Sequence, residues 1–265
     1  FSVGFTPGEL LSSRYLIAAA LIGLGLLVFK PKALKLSKKI IITCFLLGSL
    51  GYAVFSSFYF FALQGISASL TVLLLYTYPV IVTLGSKIFY HETIGPLGWL
   101  ALFLTCLGLC GLVWGEFQVT NNLALIYGFL SALFYAAYIL ISRKALKDVD
   151  PIPSSFFTQL GAGLAVYIVQ FQSFDRTAFI ISEHFGMLLA MAIVCSLLAM
   201  TLFLAGLQKV TPSEASILST TEPISGIVIA VLLLDESITP LQMLGGFLVL
   251  VSMVLTALRK PKLIT

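Results

Sequence analysis

Apolar residues run along the chain in blocks of about twenty, each closed by a short polar break. A membrane helix needs about 20 mostly apolar residues to cross a hydrocarbon core of ~30 Å. Nine blocks of that kind can be marked: Glu9 to Phe29, Ile40 to Leu63, Ala68 to Phe89, Gly95 to Trp114, Leu123 to Ile141, Ser154 to Phe171, Phe185 to Leu207, Ser213 to Leu234 and Ile238 to Leu258. Pro79 sits in the third block and Pro223 in the eighth. A proline cannot donate to the helix ladder, so each is expected to kink its helix near mid-span.

The polar breaks carry a second pattern. Gln64, Pro79, Glu92 and Pro96 recur as Gln208, Pro223, Glu236 and Pro240, each 144 residues later, and Leu63, Thr77, Ile94, Leu97 and Leu100 recur in the same register. A set held without a gap reads as an internal duplication. Pro7 pairs with Pro151 at the same offset, so Leu123 to Ile141 has its counterpart before residue 1. The expected architecture is therefore all-α, a ten-helix bundle of two five-helix repeats, with the first helix missing from this chain. The repeats are placed at 1–118 and 119–265. An odd number of helices per repeat makes the two insert upside down relative to each other.

Composition agrees with the blocks: 59% of residues are hydrophobic and 10% charged, with a mean hydropathy of +1.08. This excludes a soluble domain. Thirteen of the fifteen basic residues fall in alternate loops on one side, leaving Arg14 and Arg176 on the other. The positive-inside rule makes the rich side cytoplasmic, with the C-terminus inside. The net charge of +4 is thus a topology signal, and no nucleic-acid partner is implied. Cys44, Cys106, Cys110 and Cys195 lie inside the apolar blocks, and no metal-ligand cluster or phosphate loop occurs. No metal or cofactor is expected, nor a disulfide. Small-residue pairs such as Ala19 with Gly23 and Gly161 with Ala165 are read as close helix contacts.

Glu222 is the sharpest chemical candidate. It lies nine residues into its block, ~14 Å at 1.5 Å per residue. An ionised carboxylate at that depth is costly, which requires it to be protonated, paired or facing a polar path. It can serve as a coupling acid or a substrate contact; alternatively it satisfies the Ser219 carbonyl freed by Pro223 and only fixes the kink. Two polar stripes accompany it. Tyr52, Ser56 and Tyr59 share one helix face, and Tyr127, Ser131, Tyr135 and Tyr138 share another. With Thr71, Tyr78 and Thr221 they form a candidate cavity lining, the rival reading being hydrogen bonds between helices. Pro79 and Pro223 are candidate hinges. Arg14, two turns into the first block, is read as snorkelling to headgroups, or else as neutralising an anion. Glu92 and Glu236 precede the prolines that open the next helices, where capping or gating accounts for them.

Glu222-Pro223, Asp235-Glu236, Ile238-Thr239, Gln242 and Gly245-Gly246, echoed by Pro79, Glu92 and Gly98, together resemble the EamA-like branch of the drug/metabolite transporter superfamily. His91 and Asp235 stand where that pattern commonly has a small residue. The resemblance implies ten helices in two inverted repeats, termini inside and a central cavity for a small-molecule substrate. The expected function is a secondary transporter of a small organic metabolite, exporter or exchanger, working by alternating access. It would be a multi-pass protein of the lipid bilayer, most naturally a bacterial inner membrane, and a homodimer is compatible with it. A non-transporting structural or receptor-like protein is the alternative, and an intramembrane enzyme ranks below it because Glu222 has no second mid-membrane acid, base or metal dyad.

Overall fold

A computed structural model describes residues 6–114, 117–170, 174–234 and 239–258. Among these residues the chain is helical throughout, apart from an isolated antiparallel bridge between Ile66 and Val119. Among the described residues seven spans are long and apolar enough to cross a membrane, Ala68–Phe89 being one of them across its turn at Tyr76–Thr77. We number the helices α1 (Pro7–Phe29), α2 (Lys38–Leu63), α3 (Ala68–Leu75), α4 (Tyr78–Phe89), α5 (Pro96–Leu112), α6 (Asn122–Ala145), α7 (Pro151–Gln170), α8 (Phe174–Glu183), α9 (Phe185–Leu207), α10 (Pro212–Leu218), α11 (Thr221–Leu234) and α12 (Pro240–Leu258). The short α8 occupies a stretch the hydrophobic pattern left as loop. Ten residues are too few to span a bilayer.

Helix starts follow local chemistry. Thr6 and Thr211 are each followed by Pro and, three residues on, by Glu. Both form capping boxes, in which the threonine hydroxyl accepts the glutamate N–H at 3.3 Å and the carboxylate accepts the threonine N–H at 2.8 and 2.9 Å. Two of the orphan donors at each helix start are satisfied this way. The starts at Pro7, Ala68 and Pro96 recur at Pro151, Pro212 and Pro240, each 144 residues later. Two irregularities keep nearly the same spacing. α2 has a π-helical turn at Leu47–Tyr52, and α9 has one at Ala192–Leu198.

The chain divides into two compact units: residues 1–57 with 141–209, and residues 58–140 with 210–265. Each takes segments from both halves of the sequence. In the first unit, α1 packs along α7, which also meets the N-terminal part of α2. Backbones approach closely there, because a Cβ on Gly48 would lie 1.9 Å from the Thr158 carbonyl oxygen, and one on Gly161 2.4 Å from that of Phe45. Gly23 is likewise filled by the Phe156 ring. Arg143 closes the end of α9, donating to the Leu207 and Gln208 carbonyls at 2.9 Å each, while Gln208 donates to the Leu146 and Val149 carbonyls.

In the second unit, α5 crosses α12 where Gly108 meets the Gly245 carbonyl. The buried Thr105 hydroxyl donates to Ser252 at 2.8 Å beside that crossing. An apolar groove of ≈ 330 Å³ on this pair is lined by Leu107, Trp114, Leu241 and Leu248 among others, with no charged side chain. α10 packs against α4.

Candidate substrate and coupling site

Each proline follows a turn that interrupts the α-helical hydrogen bonding, while Thr77 and Ser219 keep right-handed helical backbone angles and Ala68–Phe89 continues as one span. Pro79 and Pro223 both stand in the first turn of a new helix, α4 and α11, where a missing N–H costs no ladder bond. The break falls one turn upstream, at Tyr76–Thr77 and at Ser219–Thr220, because a proline ring clashes with the carbonyl four residues earlier. Threonine hydroxyls take carbonyls left behind at each break: Thr77 donates to Leu74 at 2.7 Å and Thr221 to Leu218 at 2.5 Å. Those two bonds occupy the same register, 144 residues apart.

Glu222 is the second residue of α11 and its side chain is exposed. The Ser219 carbonyl, which the kink-fixing reading assigned to this carboxyl, instead accepts the Glu222 backbone N–H at 3.1 Å. That leaves the carboxylate with one hydrogen-bond partner among the described residues, the Tyr76 hydroxyl at 3.5 Å. Tyr59, Tyr76 and Tyr78 all lie within electrostatic reach of it. Tyr78 is buried, donates to the Ser216 carbonyl at 3.3 Å and meets Tyr135 edge-on with ring centroids 4.7 Å apart; Tyr138 stacks beyond at 6.3 Å. A single carboxylate thus sits at a helix break beside a row of phenols. Tyr76 was missed in the sequence, although it stands at the break itself, two residues before the candidate Tyr78.

The other candidate residues scatter. Thr71 is fully buried and bonds its own helix at the Ser67 carbonyl. Tyr127 packs with Phe58 and on the cluster of Ala62, Ile66 and Ala124. Tyr52 and Ser56 belong to the first unit, whereas Tyr59, on the same helix, belongs to the second. The Ser56 hydroxyl donates to the Tyr52 carbonyl and accepts from Tyr15. Arg14 lies half-buried beside that pair. Its guanidinium donates to the Tyr15 hydroxyl at 3.2 Å and stands over the Tyr15 ring, and its Nε has no partner. This is an inward-folded arginine more than a snorkelling one.

Glu92 is buried and central to a polar knot in the second unit. Thr211 donates to its Oε1 at 2.9 Å and Ser213 to its Oε2 at 2.7 Å; Ser86 donates to Oε2 as well. His91, just before it, is exposed and adopts the left-handed conformation at φ 50°. The knot ties the segment after α4 to the start of α10. Glu236 and Asp235 lie outside the described residues. All four cysteines are free, and no group of metal ligands occurs among the described residues.

Apolar helical spans, with two helices interrupted near the same repeat position, suit a membrane protein that conducts a solute. The model of the EamA-like transporter family matches residues 2–114 and 122–258. The chain belongs to that family. It is 27% identical over 211 residues to an uncharacterized transporter of Archaeoglobus fulgidus, covering 76% of this chain and 73% of the relative. The uncharacterized transporter YdfC of Bacillus subtilis is 25% identical over 267 residues, covering 98% and 85%. A crystal structure at 17% identity superposes with a TM-score of 0.77, over 97% of this chain and 89% of its own, which speaks for the fold. Family and relatives point to a multi-pass membrane transporter rather than an enzyme.

Proposed function

We propose that the protein is a secondary transporter of a small organic metabolite, an exporter or exchanger working by alternating access, with Glu222 as coupling acid and substrate contact. The observation that carries this is the pair of helix breaks at equivalent positions, one of them bearing an exposed carboxylate whose own kink needs nothing from it. Broken helices present backbone and side chains to a solute at mid-membrane and give each half-helix freedom to tilt. Pro79 and Pro223, each in the first turn after a break, are the hinges in this reading. Tyr59, Tyr76, Tyr78 and Tyr135 line the Glu222 side, and Thr221 lies beside it. The repeats are inverted, ten helices make up the natural bundle, and the C-terminus faces the cytoplasm of a bacterial cell. Energy comes from ion gradients.

The test is counterflow in proteoliposomes loaded with labelled amino acids, amines, nucleosides and organic acids, with and without a pH gradient. Saturable exchange of one class, altered in pH dependence by Glu222→Gln, is the expected result. Absence of exchange for every class under every gradient refutes transport. Exchange whose pH profile survives Glu222→Gln refutes the coupling role.

A further inference from the structure

We infer that the lysine-rich end of the first unit binds anionic phospholipid, holding phosphate headgroups beside the loop between α1 and α2. This goes beyond the transport reading and is independent of it. Lys30, Lys32, Lys35, Lys38 and Lys39 fall within ten residues between two apolar spans, and all five side chains are exposed. The loop that carries them is short and closed on itself: Lys30 donates its N–H to the Leu26 carbonyl, Ala33 to that of Lys30 and Lys35 to that of Lys32, at 2.9, 2.9 and 3.1 Å. Residues 10–57 hold no carboxylate to answer these charges. The same end gathers more lysines. α7 runs antiparallel to α1, since Gly23 meets Phe156 and Gly163 meets Leu16, so the loop between α6 and α7 lies beside the end of α1 and adds the exposed Lys144 and Lys147. Arg143 fastens the end of α9 there, which brings in the exposed Lys209. Asp148 and Asp150 are the acids of the second loop, and the Asp150 carboxylate accepts the Ile152 N–H.

What lies against this end is set by its surroundings. α1 has 23 residues, ~34 Å at 1.5 Å per residue, so Phe29 stands at the edge of a ~30 Å hydrocarbon core. Leu27, Val28 and Phe29 are exposed directly before the lysines, and Ile42 and Leu46 shortly after them. An ammonium on a flexible stem reaches headgroup phosphates from that depth. A soluble phosphate or nucleotide would meet the lysines but leave this apolar collar without a partner, whereas a phospholipid offers phosphate and acyl chain side by side. The start of α2 points the same way. Lys38 and Lys39 occupy its first turn with no acid among them, where the positive pole of the helix dipole disfavours cations. A phosphate at that turn offsets both lysines and takes backbone N–H groups that the helix leaves over. Insertion bias asks only for basic residues somewhere on this side, and it gives no reason for placing two of them in the turn that repels them.

The experiment is native mass spectrometry of the full chain in detergent micelles, titrated with phosphatidylglycerol, with phosphatidylcholine of identical acyl chains, and with glycerol 1-phosphate as the soluble headgroup. The expected result is saturable binding of phosphatidylglycerol, about ten-fold tighter than that of phosphatidylcholine, weakened by added salt and not reproduced by glycerol 1-phosphate at matched concentration. Attraction to anionic headgroups falls about five-fold for each lysine lost, so Lys32→Gln, Lys35→Gln and Lys39→Gln together should weaken binding by about ten-fold or more. The same three positions changed to Arg should keep it, and Lys87→Gln, in the second unit, should leave it unaltered. Equal binding of the two lipids overturns the inference, as does indifference to salt or full binding by the triple Gln variant. Glycerol 1-phosphate bound as tightly as the lipid overturns it too, and assigns the lysines to a soluble anion. Should the Gln variant fold poorly, the lipid preference and its salt dependence in the unaltered chain decide the matter.

Discussion

Replacing Glu92 by alanine removes the acceptor of three hydroxyl groups, those of Ser86, Thr211 and Ser213, in a place closed to water. A hydrogen bond to a charged group contributes about 1.5–3 kcal/mol in soluble proteins, while polar contacts between membrane helices average nearer ~0.6 kcal/mol. The knot lies at the end of α4, between those two settings. Three bonds at an intermediate ~1 kcal/mol each give a loss of about 3 kcal/mol, and stranding the hydroxyls works in the same direction. Glu92→Gln keeps the shape and one acceptor oxygen, and the hydroxyls can rotate to accept from its amide, so its cost should be about 1 kcal/mol. The assay is reversible unfolding in mixed micelles, followed by tryptophan fluorescence from Trp99 and Trp114, with Glu92→Ala, Glu92→Gln and Ser213→Ala compared under one condition. Ser213→Ala removes one donor to Glu92 without touching the Thr211 cap and should fall between wild type and Glu92→Ala. If Glu92→Ala unfolds within ~0.5 kcal/mol of wild type, the knot does not hold α10 in place, and the buried carboxylate needs another explanation.

Gly48→Ala should be poorly tolerated, losing about 2 kcal/mol or more, because its Cβ would overlap the Thr158 carbonyl and the helix pair must separate; thermal stability in detergent reads this directly. Gly226→Ala is the opposite case, an exposed helical site with nothing within 4 Å, and should gain about 0.5–1 kcal/mol in the same assay. Arg143→Met should cost about 1 kcal/mol or more, since it removes the Nη1 group that donates to both the Leu207 and Gln208 carbonyls; equal melting of the two proteins would show that this closure of α9 contributes nothing. A cysteine placed at Lys35 in a cysteine-free background should react with a membrane-impermeant maleimide only after cells are opened, and labelling of intact cells would reverse the proposed orientation.

Much of the fold was legible because a bilayer leaves few options. Twenty apolar residues between polar breaks can only be buried as a helix, and the blocks drawn from hydropathy coincide with the helices to within a few residues. The small-residue contacts were legible too, as Gly161 against Phe45 and Gly23 against Phe156 show. What the pattern concealed was tertiary choice. Nothing in the spacing of Tyr52, Ser56 and Tyr59 says that α2 changes unit after Ser57, since one helix face can meet different neighbours along its length. Thr71 and Ser56 looked like lining because they are polar, but a hydroxyl in a helix can bond the carbonyl four residues back, and both do. The capping boxes at Thr6 and Thr211 were readable from Thr-Pro-x-Glu. Arg143 was counted only as a loop charge, although its place at a helix end, with a guanidinium suited to carbonyls, was the available signal.

The repeat register sorts backbone from chemistry. Helix starts, the break at 76–77 and its counterpart at 219–220, and the threonine bonds across those breaks recur at or within one residue of 144, and the π-helical turns within two. The breaks and the threonine bonds across them depend on no charged residue. Two charges do not recur: Glu222 stands opposite Tyr78, and Arg14 opposite Thr158. If the carboxylate were needed to make the break, the first half would need one as well, yet Tyr78 occupies that position and its helix breaks in the same way. The break is therefore made by proline and threonine. Glu222 is surplus to it, which leaves its carboxylate available for the coupling and substrate-contact role proposed above.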